Sequence, residues 1–294
     1  MKTLAEVLAW QPPADGSAPL LDLTAEVPRL LATLQALGLP RDAVDWVIPS
    51  HVHLDHAGGV GSLMQHLPRA QVLVHPRGAR HMVDPSALYQ GALAVYGQAE
   101  MERAYGQLVP VAADRVRESA DGLRVVVGGR WLECADTPGH ARHHHCLWDE
   151  RSRGWFTGDT FGLSYREHDS AAGAFVLPTS TPVQFDPQAL RQSVARLLAR
   201  SPRCAYLTHY GRVTDLPRLG ALLLSQMDEM VELARSLRDA PQRHGALKAG
   251  LSAQCAERLR AHGVADVAAA LAGLDLDLEL NAQGLGVWLD RGSA

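Results

Sequence analysis

Six consecutive residues, His51, Val52, His53, Leu54, Asp55 and His56, hold three imidazoles and a carboxylate, with Ala57-Gly58-Gly59 directly behind them. Neutral imidazole nitrogen and carboxylate oxygen are the donors that zinc and its neighbours take, and a catalytic site keeps one coordination position open for water. A lone histidine is most often a satisfied surface or core residue, but this spacing argues for metal. In an extended segment His51 and His53, two apart, point the same way and can grip one ion, and Asp55 and His56 can reach a second.

The apolar run Trp46-Val47-Ile48 in front of the cluster reads as a strand that delivers it to a sheet end. If the cluster holds metal, its other ligands belong at strand ends too, because open sheets gather their sites where strands terminate. Three positions qualify. Residues 131–134 lead through Asp136-Thr137-Pro138-Gly139 into His140, residues 155–158 lead into Asp159, and residues 205–208 lead into His209. Tyr210, beside His209, could aim a phenol at a leaving group. His143-His144-His145 follows His140 too closely for all three rings to join the same ion pair, and strand alternation sends His144 to the face opposite His143 and His145. Cys134, Cys146, Cys204 and Cys255 lie far apart and read as buried, reduced thiols rather than ligands or nucleophiles.

The elements that must position these groups follow from periodicity. Strands are expected at 19–23, 44–48, 71–75, 123–127, 131–134, 146–148, 154–157 and 204–207, with helical patterns at 25–37 and 59–67. Asp186-Pro187 reads as an N-cap with proline at the first helical position. Past Pro217 the texture is mostly helical. Leu219, Leu222, Leu223, Met230, Leu233 and Leu237 suit one long amphipathic helix, and Ser252 is expected to cap another that ends at His262-Gly263. A short terminal strand is expected at 284–288, a lid-like helical insertion at 84–107, and an apolar wall near Asp159 from Phe161-Gly162-Leu163 and Phe175-Val176-Leu177-Pro178. Mixed strands and helices predict an α/β (α+β) sandwich, with a catalytic domain over 1–215 and a helical extension over 216–294.

The chain has 294 residues, 47% of them hydrophobic and 20% charged, so it can bury a substantial core. A net charge of −4 and only two lysines, Lys2 and Lys248, offer no cationic face for nucleic acid. No stretch approaches the roughly 20 apolar residues that cross a bilayer. Glu6 and Pro12-Pro13 interrupt any signal-peptide core, so a cytoplasmic protein acting on a small molecule is expected.

The ordered set of motifs resembles the metallo-β-lactamase superfamily, whose signature His-x-His-x-Asp-His is met by His51, His53, Asp55 and His56. A His after Thr-Pro-Gly, an Asp in a Gly-Asp turn and a final His follow in the family's order, and the resemblance covers residues 19–211. It implies a four-layer αββα sandwich. It also implies that His51, His53 and His140 bind a first ion, that Asp55, His56 and His209 bind a second, and that Asp159 bridges them. Two divalent ions, zinc above all with iron or manganese as alternatives, would share a hydroxide that attacks the substrate, which makes Asp55 and Asp159 part of the catalytic apparatus beside Tyr210.

Within the superfamily the chain looks most like the glyoxalase-II-like hydrolases of esters, thioesters and lactones. In relatives that hydrolyse glutathione thioesters, a second His commonly follows the Thr-Pro-Gly-His motif four residues later, and here that position is His144. The alternative is an oxidoreductase of the persulfide dioxygenase type, with one iron on His51, His140 and Asp159; it would leave Asp55, His56 and His209 idle. The N-terminus departs from the family pattern. Leu20-Leu21-Asp22-Leu23-Thr24 is the nearest equivalent of the usual opening strands and turn, after the short segment 4–10, so one sheet edge is expected to be abbreviated and covered by a second subunit in a homodimer.

Overall fold

The computed structural model describes residues 23–180 and 183–292. The strand expected at 19–23 and the segment 4–10 lie outside them, apart from Leu23, which opens a helix. The fold is mixed α/β with its strands in two sheets and a helical C-terminal region, as expected. The chain forms two compact units, Met1–Asp136 and Thr137–Ala294. No helix of the described residues is long and apolar enough to cross a membrane.

The first unit opens with α1 (Leu23–Ala36) and continues into β1 (Trp46–Val47), β2 (Gln71–Val74) and β3 (Val116–Glu118), which pair in that order as a parallel sheet. β2 is buried on both faces, Val72, Leu73 and Val74 alike, as a central parallel strand must be. Val72 and Val74 join Val52, Ala57, Val60, Met64 and Leu67 in one core, with Leu31 and Leu34 of α1 packed against it. The helix expected at 59–67 is present as the short α3 (Val60–Met64), and a separate turn of helix, α2 (Leu54–Ala57), precedes it across Gly58-Gly59. After α4 (Pro76–Val83), the insertion at 84–107 is helical, led by α5 (Ser86–Tyr96). A hairpin of β4 (Arg124–Val127) and β5 (Arg130–Asp136) closes the unit, turning through Gly128 and Gly129, both at positive φ.

The second unit carries β6 (His145–Asp149), β7 (Gly154–Gly158), β8 (Cys204–Leu207) and β9 (Gly211–Val213) side by side, with only the β7/β8 pair parallel. The crossover between those two strands contains α6 (Pro187–Ala199), opened as expected by Asp186, whose carboxylate accepts the Ala189 N–H. Trp155 of β7 is fully buried and its indole N–H donates to the Leu197 carbonyl of α6 at 2.9 Å. Four helices follow: α7 (Leu216–Ser236), α8 (Arg243–His262), α9 (Val267–Gly273) and α10 (Asp275–Arg291).

Two expectations fail here. Ser252 lies inside α8, which starts nine residues earlier at Arg243. The terminal strand at 284–288 is instead the end of α10, because Leu274, Leu278, Ala282, Leu285 and Leu289 recur at helical spacing and are all buried.

Candidate metal centre

β1 ends at Val47, and the chain runs through Pro49 and Ser50 into the ligand cluster as α2 begins. Val52, Leu54, Ala57 and Val60 point into the core of the first unit, which fixes the register of the residues between them. His51 is fully buried. Its Nε2 lies 2.8 Å from His53 Nδ1, and its ring centroid is 4.0 Å from that of His56. The Ser50 hydroxyl stands 3.1 Å from His51 Nδ1 and 3.2 Å from His56 Nδ1, holding both rings, and His56 Nε2 lies 3.1 Å from Asp55 Oδ2. His51, His53, Asp55 and His56 are thus brought together in the first unit.

In the second unit Asp159 follows the Gly158 turn, where φ is +49°. Its carboxylate sits between two imidazoles, Oδ2 at 3.5 Å from His140 Nε2 and Oδ1 at 3.7 Å from His209 Nε2. A carboxylate with one imidazole nitrogen facing each oxygen is the mixed oxygen and nitrogen donor set that divalent transition ions take, so the residues fit such an ion.

The groups behind these candidate ligands were not visible as motifs. Thr179 Oγ1 lies 2.8 Å from His140 Nδ1; with the ring proton there, Nε2 keeps its lone pair on the side of Asp159. Thr179 is held in turn from α10, where the Asn281 side chain accepts the Ser180 N–H at 2.6 Å and donates to the Pro178 carbonyl at 3.0 Å. An asparagine on the buried face of a leucine-spaced helix is the signal that could have found it. Thr179→Val keeps the shape and removes the hydrogen bond. It should weaken metal binding about 10- to 100-fold in a chelator competition while the circular dichroism spectrum is unchanged; unaltered affinity would count against this role.

His144 is fully buried and braces the site from behind. Its Nε2 accepts the Asp159 N–H at 3.1 Å, so Nδ1 carries the proton, facing Thr137 Oγ1 at 2.9 Å and Thr160 Oγ1 at 3.1 Å. The expected apolar wall is core instead: Phe161 and Phe175 are 0% and 2% exposed, and Phe175 packs between His168 and His262. Burial pushes the thiols of Cys134 up to about 11 and of Cys146 and Cys255 up to about 12, so none of these is a nucleophile at neutral pH.

The family model described as the metallo-beta-lactamase superfamily matches residues 16–209. The chain belongs to the metallo-β-lactamase superfamily. Among curated members of the superfamily, the metallo-beta-lactamase fold-containing protein ST1585 of Sulfurisphaera tokodaii is 28% identical over 190 residues, 63% of this chain and 67% of that one. The crystal structure of ST1585 superposes with a TM-score of 0.56 at 23% identity, covering 82% of this chain and 79% of that one. The metallo-beta-lactamase family protein TTHA1429 from Thermus thermophilus superposes with a TM-score of 0.63 at 20% identity, over 91% and 81% of the two chains. Both structures share the superfamily fold, and this member carries His and Asp groups that could hold metal ions.

Proposed function

We propose that this protein is a metal-dependent hydrolase that cleaves an ester, thioester or lactone bond of a small molecule. The supporting observation is the intact donor set. His51, His53, Asp55 and His56 lie together in the first unit, and His140, Asp159 and His209 lie together in the second. Bound there, two divalent ions, zinc first among the candidates, would supply Lewis acidity and a hydroxide at neutral pH.

The chain's own groups do the rest. Ser50, Thr179 and His144 orient the donors, so little reorganisation is needed when charge develops on the reacting carbonyl. Asp159 supplies the negative charge between His140 and His209. Tyr210, one residue past His209, has its ring 6.4 Å from that imidazole, a position from which its phenol would serve a leaving group. A nucleophilic serine or cysteine is not required, in keeping with the raised cysteine pKa values.

The test is metal content by plasma mass spectrometry of protein expressed without added metal, alongside hydrolysis of a panel of thioesters, lactones, esters and phosphodiesters. Two zinc or manganese ions per chain with turnover of a carbonyl ester class is the expected result. A single iron with oxygen consumed on a persulfide would overturn the hydrolase reading.

A further inference from the structure

The C-terminal helix α10 stands behind all three candidate ligands of the second unit. Asp277 lies in its first turn and Asn281 one turn further on, so the two project from the same face. Each reaches a segment remote in sequence, across 112 and 101 positions of chain. Asp277 Oδ2 accepts the Tyr165 hydroxyl at 2.7 Å. Asn281, 3% exposed, accepts the Ser180 N–H at 2.6 Å and donates to the Pro178 carbonyl at 3.0 Å, while its own backbone carbonyl accepts the Ser180 hydroxyl at 3.1 Å.

The two segments are also joined to each other. Leu163 and Leu177 form an antiparallel bridge, each N–H donating to the other's carbonyl, at 3.1 and 2.9 Å. They run so close that a Cβ on Gly162 would collide with the Leu177 carbonyl oxygen. The frame made of residues 162–165 and 177–180 then meets each candidate ligand. The Gly162 N–H donates to the Asp159 carbonyl at 3.0 Å, and Thr179 Oγ1 lies 2.8 Å from His140 Nδ1. The Ser164 N–H donates to the His209 carbonyl at 3.4 Å, and the Tyr165 ring lies 4.1 Å from that of Tyr210, the next residue.

One bridge is too short to hold such a frame by itself, since even a two-stranded hairpin is marginal in water. Its buried backbone groups also need partners. An amide side chain is suited to supply both an acceptor and a donor from one position, and Asn281 does so for Ser180 and Pro178. We propose, building on the metal centre of the hydrolase reading, that Asn281 and Asp277 are positioning residues that make the C-terminal helix part of that centre. Asn281 acts on His140 through Thr179, and Asp277 acts on His209 through Tyr165. Neither touches the ion or the substrate.

The experiment measures the zinc affinity of the full chain by competition with a chromophoric chelator. Asn281→Leu keeps the volume and loses both amide bonds; it should weaken zinc binding about tenfold, as loss of a partner behind a ligand does. Tyr165→Phe keeps the ring beside Tyr210 and loses the bond to Asp277, for an expected loss of about fivefold, the worth of one hydrogen bond. Asn281→Leu added to Thr179→Val should weaken binding no further, because both act on His140 through the same hydroxyl. Tyr165→Phe added to Thr179→Val should instead multiply the two losses, because it acts on a different ligand.

Leu285→Ala distinguishes positioning from general loosening of α10. It removes a fully buried side chain one turn beyond Asn281 that takes part in none of these bonds, so it should lower the melting temperature and leave zinc affinity and the visible spectrum of the cobalt-loaded protein as in the wild type. Asn281→Leu should shift that spectrum. Wild-type affinity in both Asn281→Leu and Tyr165→Phe, or an equal loss in Leu285→Ala, overturns the proposal; if Asn281→Leu does not fold, Tyr165→Phe decides alone. If zinc binding responds as expected while the wild type hydrolyses nothing in the panel, the hydrolase reading has failed and the positioning role stands. A wild type that takes up no metal overturns both.

Discussion

Asp159→Asn should give a folded protein that has lost hydrolysis by on the order of 10³-fold and retains fewer metal ions than the wild type. The asparagine matches the shape of the carboxylate, and the backbone hydrogen bond from residue 159 to His144 does not depend on the side chain. The charge is what changes. Asp159 places one oxygen toward His140 and the other toward His209, both ligands in the proposed site, so a single substitution removes the anion shared by two donor groups. Charges about 4 Å apart at a partly buried site interact by ~4 kcal/mol at an effective dielectric of about 20, which corresponds to roughly three powers of ten in rate. The measurement is kcat/KM on the best panel substrate together with metal content after dialysis. Wild-type metal content with a rate within about tenfold would remove Asp159 from the centre of the proposed chemistry.

The proposed donor residues could be picked out directly, because metal chemistry restricts residue type and spacing far more tightly than packing does. His51, His53, Asp55 and His56 announce themselves within six residues, and His140, Asp159 and His209 each follow an apolar strand and a turn, which is where they sit. The residues that orient them were hidden. Thr179, Ser50 and Asn281 are ordinary types, and their roles arise from contacts such as Asn281 to Ser180, made across 101 positions of chain.

Helix and strand errors have a similar cause. Leu285 to Leu289, with Gly286, Val287 and Trp288 between them, contains the residue types of a strand, but the run of buried leucines back to Leu274 gives the longer and stronger helical period. β3 and β9 escaped notice because they are three residues long and partly exposed, carrying Arg117 and Arg212. Phe175 shows the converse: an aromatic near the Asp159 turn in sequence is consumed by the core, edge-on to His168 and tilted against His262.

Gly139→Ala should be the most destabilising single substitution near the site, costing at least ~3 kcal/mol and lowering the melting temperature by roughly 6–12 °C. Two independent effects combine at this residue. Its φ of +133° is one that side-chain-bearing residues rarely adopt, and a Cβ built on it would lie 2.2 Å from the Leu190 amide nitrogen and 2.3 Å from its Cα. Those atoms belong to the backbone of α6, tied to the same spot by the Asp186 N–H donating to the Gly139 carbonyl at 2.8 Å and by the Ser193 hydroxyl donating to the Pro138 carbonyl at 2.7 Å. Neither the helix nor the turn can retreat without breaking those bonds. His140 is the next residue, so displacement at 139 moves a proposed ligand and should weaken metal binding as well as stability. Gly128→Ala is the control: it also sits at positive φ, +56°, but nothing lies within 4 Å of its added methyl, so only the backbone cost of about 1–2 kcal/mol applies. Thermal melts of both variants decide the matter, and equal losses at the two glycines would show that the contact with α6 contributes nothing beyond the backbone conformation.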